Sequence, residues 1–142
     1  MAGPVHKQGF SLVEVLIALV IVAIMGAVVA LNVVGAADDA KVTATGAQIK
    51  ILASAVTLFK SQQGYLPTQT QGLEALVKEP AAAKSFPQGG YLGSRDVPAD
   101  AWGRPFLYLI PGRDNRPFEI LSYGADGLEG GTGPDADISS AD

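Results

Sequence analysis

The chain contains no cysteine and a single histidine, His6. Without thiols it has no disulfide framework, no thiolate nucleophile and no cysteine-ligated metal. With histidine confined to position 6, the rest of the chain lacks the usual base of a nucleophile–base pair and the usual nitrogen ligand of zinc. Cations are missing where nucleic acid would want them: residues 117–142 carry Glu119, Asp126, Glu129, Asp135, Asp137 and Asp142 and no Lys or Arg. The formal net charge is −4, so no basic stripe is available to neutralise phosphates, and no nucleic acid partner is expected. Paired carboxylates can do acid–base work, but no accompanying pocket signature is present, and the chain reads as a non-enzyme. The last absence is of charge between Val15 and Ala37, where Asn32 is the only strongly polar side chain.

As a helix, at about 1.5 Å of rise per residue, that uncharged run reaches roughly 35 Å, enough to cross the hydrocarbon core of a bilayer. A carboxylate, Glu14, nevertheless sits four residues inside the apolar segment that starts at Phe10. A charge at such a depth costs about 2.5–3.5 kcal/mol even on a lenient insertion scale. Either its head lies in the interface at the membrane edge, or it has a partner. Residues 1–9 form a short leader with His6 and Lys7 as its positive end. A secretory signal cut near Val34-Gly35-Ala36 is the competing reading. Glu14 interrupts its apolar region, and that region exceeds the usual stretch of about 7–15 residues.

Gly9-Phe10-Ser11-Leu12-Val13-Glu14, with the basic leader before it, resembles the signal of type IV pilin-like proteins. The resemblance implies cleavage between Gly9 and Phe10 by a prepilin peptidase, and N-methylation of the new terminal Phe10. Cleavage would create an α-ammonium one helical turn from Glu14, and two opposite charges in an apolar medium neutralise each other. Pairing between neighbouring subunits, with Glu14 setting the axial register of an assembly, is likewise what the resemblance implies. Loss of the one positive side chain Lys7 with the leader takes the formal charge from −4 to −5.

Beyond Ala37 the pattern changes without a break. Asp38, Asp39 and Lys41 mark the exit from lipid, and no proline stops the helix. Apolar residues at Val42, Ile49, Leu52, Val56 and Phe59 form one stripe of an amphipathic helix, with Lys50 and Lys60 off it. Gly64 is a C-terminal stop, so a single long helix is expected from Ser11 to Gln62. Gly26, Gly35 and Gly46 serve either close packing or local bending. Thr68 and Gln71 have capping-box spacing before a short helix with Leu73, Leu76 and Val77 on its apolar face, ended by Pro80. Residues 81–101 are a long Ala-, Gly- and Pro-rich connection, and 102–105 a turn. Residues 106–110 and 118–122 are strand-like around a turn-rich Pro111–Arg116, a hairpin to pack on the helical stripe. A third short strand is expected without a definite place.

Residues 122–138 are rich in Gly and Asp. Calcium takes six to eight oxygens from carboxylates and carbonyls, and glycine-rich backbone helps turn carbonyls inward. Asp126, Asp135 and Asp137 can supply carboxylates, with Glu129 a weaker candidate. The same composition also suits a solvated loop in which Asp and Gly only make turns, and the two readings stay open. The spacing does not match an EF-hand. Residues 130–135 resemble one calcium-binding nonapeptide, but a single copy cannot stack into a solenoid.

Thr70-Gln71-Gly72-Leu73-Glu74-Ala75-Leu76-Val77, Gly90-Tyr91-Leu92, Asp100-Ala101-Trp102-Gly103, Ser122-Tyr123-Gly124-Ala125-Asp126-Gly127 and Asp135-Ala136-Asp137-Ile138 together resemble the major pseudopilins of type II secretion systems. The resemblance implies an α+β, type IV pilin-like fold: a long N-terminal helix, membrane-spanning in its first half, packed on a small antiparallel sheet with a C-terminal calcium loop. It divides the chain into a leader (1–9), the membrane and assembly half of the helix (10–37) and a periplasmic head (38–142). Within the head lie the amphipathic helix half (38–63), loop and short helix (64–105), hairpin (106–122) and acidic loop (123–142). For calcium it implies Asp126, Asp135, Asp137 and the Tyr123 carbonyl. It further implies an inner-membrane protein that polymerises into a periplasmic filament helping to export folded proteins. The partners implied are copies of itself, minor pseudopilins, the prepilin peptidase, the inner-membrane assembly platform and, before assembly, the bilayer. A pilus pilin for adhesion or motility, or a secreted calcium-binding domain, are the alternatives. Three positions depart from the family pattern: Gly133 offers no side-chain oxygen, Leu31 replaces a usual proline, and the chain ends Ser139-Ser140-Ala141-Asp142 without the frequent tryptophan.

Overall fold

The computed structural model describes residues 9–142, with the side chains of 28–36 set aside. The leader positions His6 and Lys7 and the Leu31 side chain therefore fall outside the described residues.

One helix, α1, runs Leu12–Gln63 over 52 residues. No proline interrupts it, Glu14 sits in its first turn and Lys60 in its last, each at the favourable end of the helix dipole. It stops where expected. Gly64 takes φ +84°, which side chains other than glycine rarely tolerate, and its N–H returns to the Lys60 carbonyl at 2.8 Å. By its contacts the chain divides into two units, Met1–Ala37 and Asp38–Asp142.

In the first unit, the described apolar side chains from Phe10 to Met25 are exposed on every side of the helix. A helix that is apolar all round needs a membrane or other helices around it. In the second unit the expected stripe holds: Ile49, Leu52, Val56 and Phe59 are buried and Val42 half-buried. By length and composition the segment Ala37–Gln63 also passes as a membrane span, but a third of it is buried within the head. Its apolarity belongs to the core stripe.

Three short antiparallel strands complete the head: β1 (Leu107–Leu109), β2 (Glu119–Ser122) and β3 (Ile138–Ser139), in the order β1-β2-β3. Leu107 pairs with Leu121 and Leu109 with Glu119, while Leu121 and Ser122 pair with Ser139 and Ile138. As the central strand, β2 is buried at all four positions. Tyr108 and Ile120 from the sheet, and Phe106 just before β1, meet the α1 stripe together with Leu73 and Leu76. Gly46 faces Ile138, and a Cβ there would meet Ile138 Cγ2 at an ordinary contact distance of 3.9 Å.

The capping box forms, with Gln71 Oε1 accepting from Thr68 N at 2.9 Å and Thr68 Oγ1 accepting from Gln71 N at 3.2 Å. The element behind it is a single 3₁₀ turn, Gly72–Leu76, shorter than the expected helix. Pro80 has no N–H to give the Leu76 carbonyl. Tyr91 N takes that carbonyl instead, at 2.7 Å. The long connection is tied to the end of α1 by the buried Gln63, whose amide nitrogen donates to Ser85 O (2.5 Å) and Tyr91 Oη (2.8 Å) and whose amide oxygen accepts from Lys84 N (2.8 Å).

Candidate functional site

Gly9, Phe10 and Ser11 precede the helix, whose first bond runs from Val15 N to Ser11 O at 3.1 Å. Phe10 is 83% exposed, and the Gly9–Phe10 peptide bond lies outside the helix. Phe10, Glu14, Val15, Ala18, Leu19 and Val22 share one exposed face of the N-terminal segment. Glu14 is the one charged group on it, and no other described residue forms an ion pair with Glu14.

At the other end of the chain, the acidic side chains of the loop do not gather into one cluster. Among the described residues no three acidic or histidine side chains are close enough to share an ion. Each carboxylate is instead used locally or left in water. Asp126 Oδ1 accepts from Leu128 N at 2.9 Å, Asp137 Oδ1 accepts from Gly130 N at 3.0 Å, and Asp135 is exposed. The Tyr123 carbonyl accepts from Gly127 N at 3.1 Å. In kind, the donors do suit calcium: all are oxygens, and each aspartate keeps an oxygen free of these bonds.

The loop is closed by contacts that its composition did not announce. Ala125 N reaches Pro134 O at 2.9 Å and Asp137 N reaches Gly130 O at 3.1 Å, joining its two arms. The Arg104 guanidinium donates through Nη1 to Gly124 O and through Nη2 to Ala125 O, the latter at 2.6 Å. Asp100, buried, receives Trp102 N and Arg104 N on Oδ1 (3.0 and 2.8 Å) and the Ser122 hydroxyl on Oδ2 (2.7 Å).

Glu119 is the second feature missed. It is 1% exposed in the middle of the sheet. Arg113 Nη2 and Nε donate to its Oε1 at 2.7 and 3.0 Å, Arg113 N to Oε2 at 2.9 Å, and the Ser139 hydroxyl to Oε1 at 2.6 Å. The Arg113 hydrogen bonds bring its pKa down to about 2, against the opposing effect of burial and with help from Ser139. No sequence signal marks it: apolar residues on either side of an acid are the alternation of a solvent-facing strand position, and only the fold selects Arg113 as its partner. Ser139 and Ser140 also tie the C-terminal segment to β2, with Ser140 N bonded to Ile120 O at 2.8 Å.

Two family models match the chain: the type II secretion system protein G family over residues 32–141, and the prokaryotic N-terminal methylation motif over residues 5–30. The type II secretion system core protein G of Pseudomonas aeruginosa is 42% identical over 140 residues, covering 96% of each chain. That of Vibrio cholerae is 37% identical over 136 residues, covering 94% of this chain and 91% of the relative. The crystal structure of the major pseudopilin from the type 2 secretion system of enterohaemorrhagic Escherichia coli superposes with a TM-score of 0.61 at 30% identity, over 75% of this chain and 87% of that one. A methylation motif ahead of an apolar helix, a pilin-like head on that helix and relatives matched nearly end to end agree: the chain belongs to the type II secretion system protein G family of pseudopilins.

Proposed function

We propose that the chain is the major structural subunit of a type II secretion pseudopilus. The observation that carries this reading is the helix that is apolar on all sides and charged only at Glu14, joined to a separately cored head. Such a helix satisfies itself in a bilayer before assembly and among its own copies afterwards. In this reading a prepilin peptidase cuts between Gly9 and Phe10 in the inner membrane, Phe10 is N-methylated, and the assembly platform polymerises the subunit. The resulting periplasmic filament, with minor pseudopilins, helps export folded proteins, and the subunit's role is mechanical rather than catalytic. Mass spectrometry of the N-terminal peptide from membranes tests this. A chain beginning at N-methylated Phe10 is expected; cleavage near Ala36 would make the chain a secreted domain and end the assembly reading.

The acidic loop is proposed to hold calcium through Asp126, Asp135, Asp137 and the Tyr123 carbonyl, the ion supplying positive charge to the carboxylates. Binding to the native state alone raises stability, by about 2.7 kcal/mol at a hundredfold excess over Kd. Calcium should therefore raise the melting temperature, and a curve that stays the same in calcium and in chelator removes the metal from the account.

A further inference from the structure

We infer that Arg104 is an internal cation that holds the 123–137 loop closed before any metal is bound, so that the loop is preassembled rather than built by calcium. Its guanidinium forks onto two successive carbonyls, Gly124 O and Ala125 O. Two carbonyl dipoles turned towards one positive charge reproduce part of what a bound metal ion does with backbone oxygens. The fit is close. A Cβ placed on Gly127 would come within 2.9 Å of Arg104 Cζ and Nε, so the guanidinium lies directly over that glycine.

Arg104 is also anchored from behind. Its own N–H is held by Asp100, and its carbonyl accepts from Asp100 N at 2.8 Å. Asp100 is in turn bonded to Ser122 at the end of β2, and the neighbouring Ala101 N donates to the buried Thr45 of α1 at 3.2 Å. The cation is therefore rooted in the sheet and in the helix at once, and from there it reaches into the loop. Among the described residues no carboxylate forms an ion pair with it, so its hydrogen bonds go to the loop backbone. Its charge faces the segment that carries Asp126, Glu129, Asp135 and Asp137. The role differs from that of Arg113, which is committed to Glu119.

The test is hydrogen exchange on the full-length protein in detergent, first in excess chelator and then in calcium. Three loop amides report: Ala125, Gly127 and Asp137, bonded to Pro134 O, Tyr123 O and Gly130 O. The β2 amides serve as the control for the fold. In chelator the wild-type loop should be protected. Arg104→Ala should lose roughly tenfold or more of that protection while β2 keeps its own. Arg104→Lys retains the charge and the Asp100 bonds but cannot fork, so it should lie between the two and remain folded even where the alanine variant does not. Wild-type protection in both variants overturns the inference, as does a wild-type loop that is open in chelator and closed only by calcium. The calcium proposal stands apart from this outcome. If no form responds to calcium, that proposal fails, and the chelator arm alone still decides the role of Arg104.

Discussion

At Glu119 two opposing effects meet. Removing a carboxylate from water favours its neutral form, while the Arg113 fork and the Ser139 hydroxyl favour the charged one, and the charged form wins with a pKa of about 2. An unfolded glutamate titrates near 4.3, so between those values the unfolded chain binds more protons than the native one. The stabilisation is complete above the unfolded value and is lost as the pH falls towards 2. Arg113 is 45% exposed and lies 4.0 Å from Asp137, so its charge remains hydrated when Glu119 is neutralised. Glu119→Gln should cost about 1.5–3 kcal/mol at neutral pH, the range for hydrogen bonds to charged groups. It should also flatten the melting temperature between pH 4.3 and 2; a variant with the wild-type acid profile would assign that profile to other groups. The N-terminal methylation motif was legible because it lies in a short spacing of residues against an apolar run. Arg104 and Glu119 were not, because their partners lie 20 and 6 residues away and only the fold selects them.

Elements were legible in proportion to their periodicity. The stripe from Val42 to Phe59 repeats often enough to mark the buried face of α1, and Gly64 marks its end to within one residue of the expected Gln62. The hairpin of β1 and β2 follows from two apolar runs around a turn. β3 has two residues and no alternation, so only pairing with β2 defines it. The same holds for the guard on the outer edge of β1. Gln69 acts there as a short strand: its amide nitrogen donates to Tyr108 O at 2.7 Å and its oxygen accepts from Ile110 N at 3.1 Å. Open sheet edges invite pairing with other chains. Gln69→Ala should cost about 1–2 kcal/mol in a urea melt by unpairing two backbone groups, and light scattering should show concentration-dependent association. A variant with wild-type stability and no association would mean that water serves this edge as well as Gln69 does.

For the whole molecule, composition alone separates an apolar helix segment from a head with its own core. The buried set of the head begins at Thr45 and ends in the sheet, so nothing between Phe10 and Met25 contributes to it. A change in the first unit should then alter assembly without altering the fold of the second. Glu14→Ala isolates this. It leaves the Gly9–Phe10 bond unchanged, and it removes a charge that costs about 2.5–3.5 kcal/mol in lipid, so insertion and processing should proceed at least as well. What it removes is the one carboxylate among residues 10–37, placed to neutralise a terminal ammonium at Phe10, one turn away in its own chain or opposite in a neighbour. An apolar helix slides along an apolar neighbour at little cost, whereas a charge pair in low dielectric holds one axial position. The variant should therefore carry N-methylated Phe10 by mass spectrometry and melt like the wild type in its head, yet yield few filaments by electron microscopy. Normal filament yield would mean that register comes from the heads, and unprocessed chains would mean that Glu14 serves the peptidase rather than the assembly.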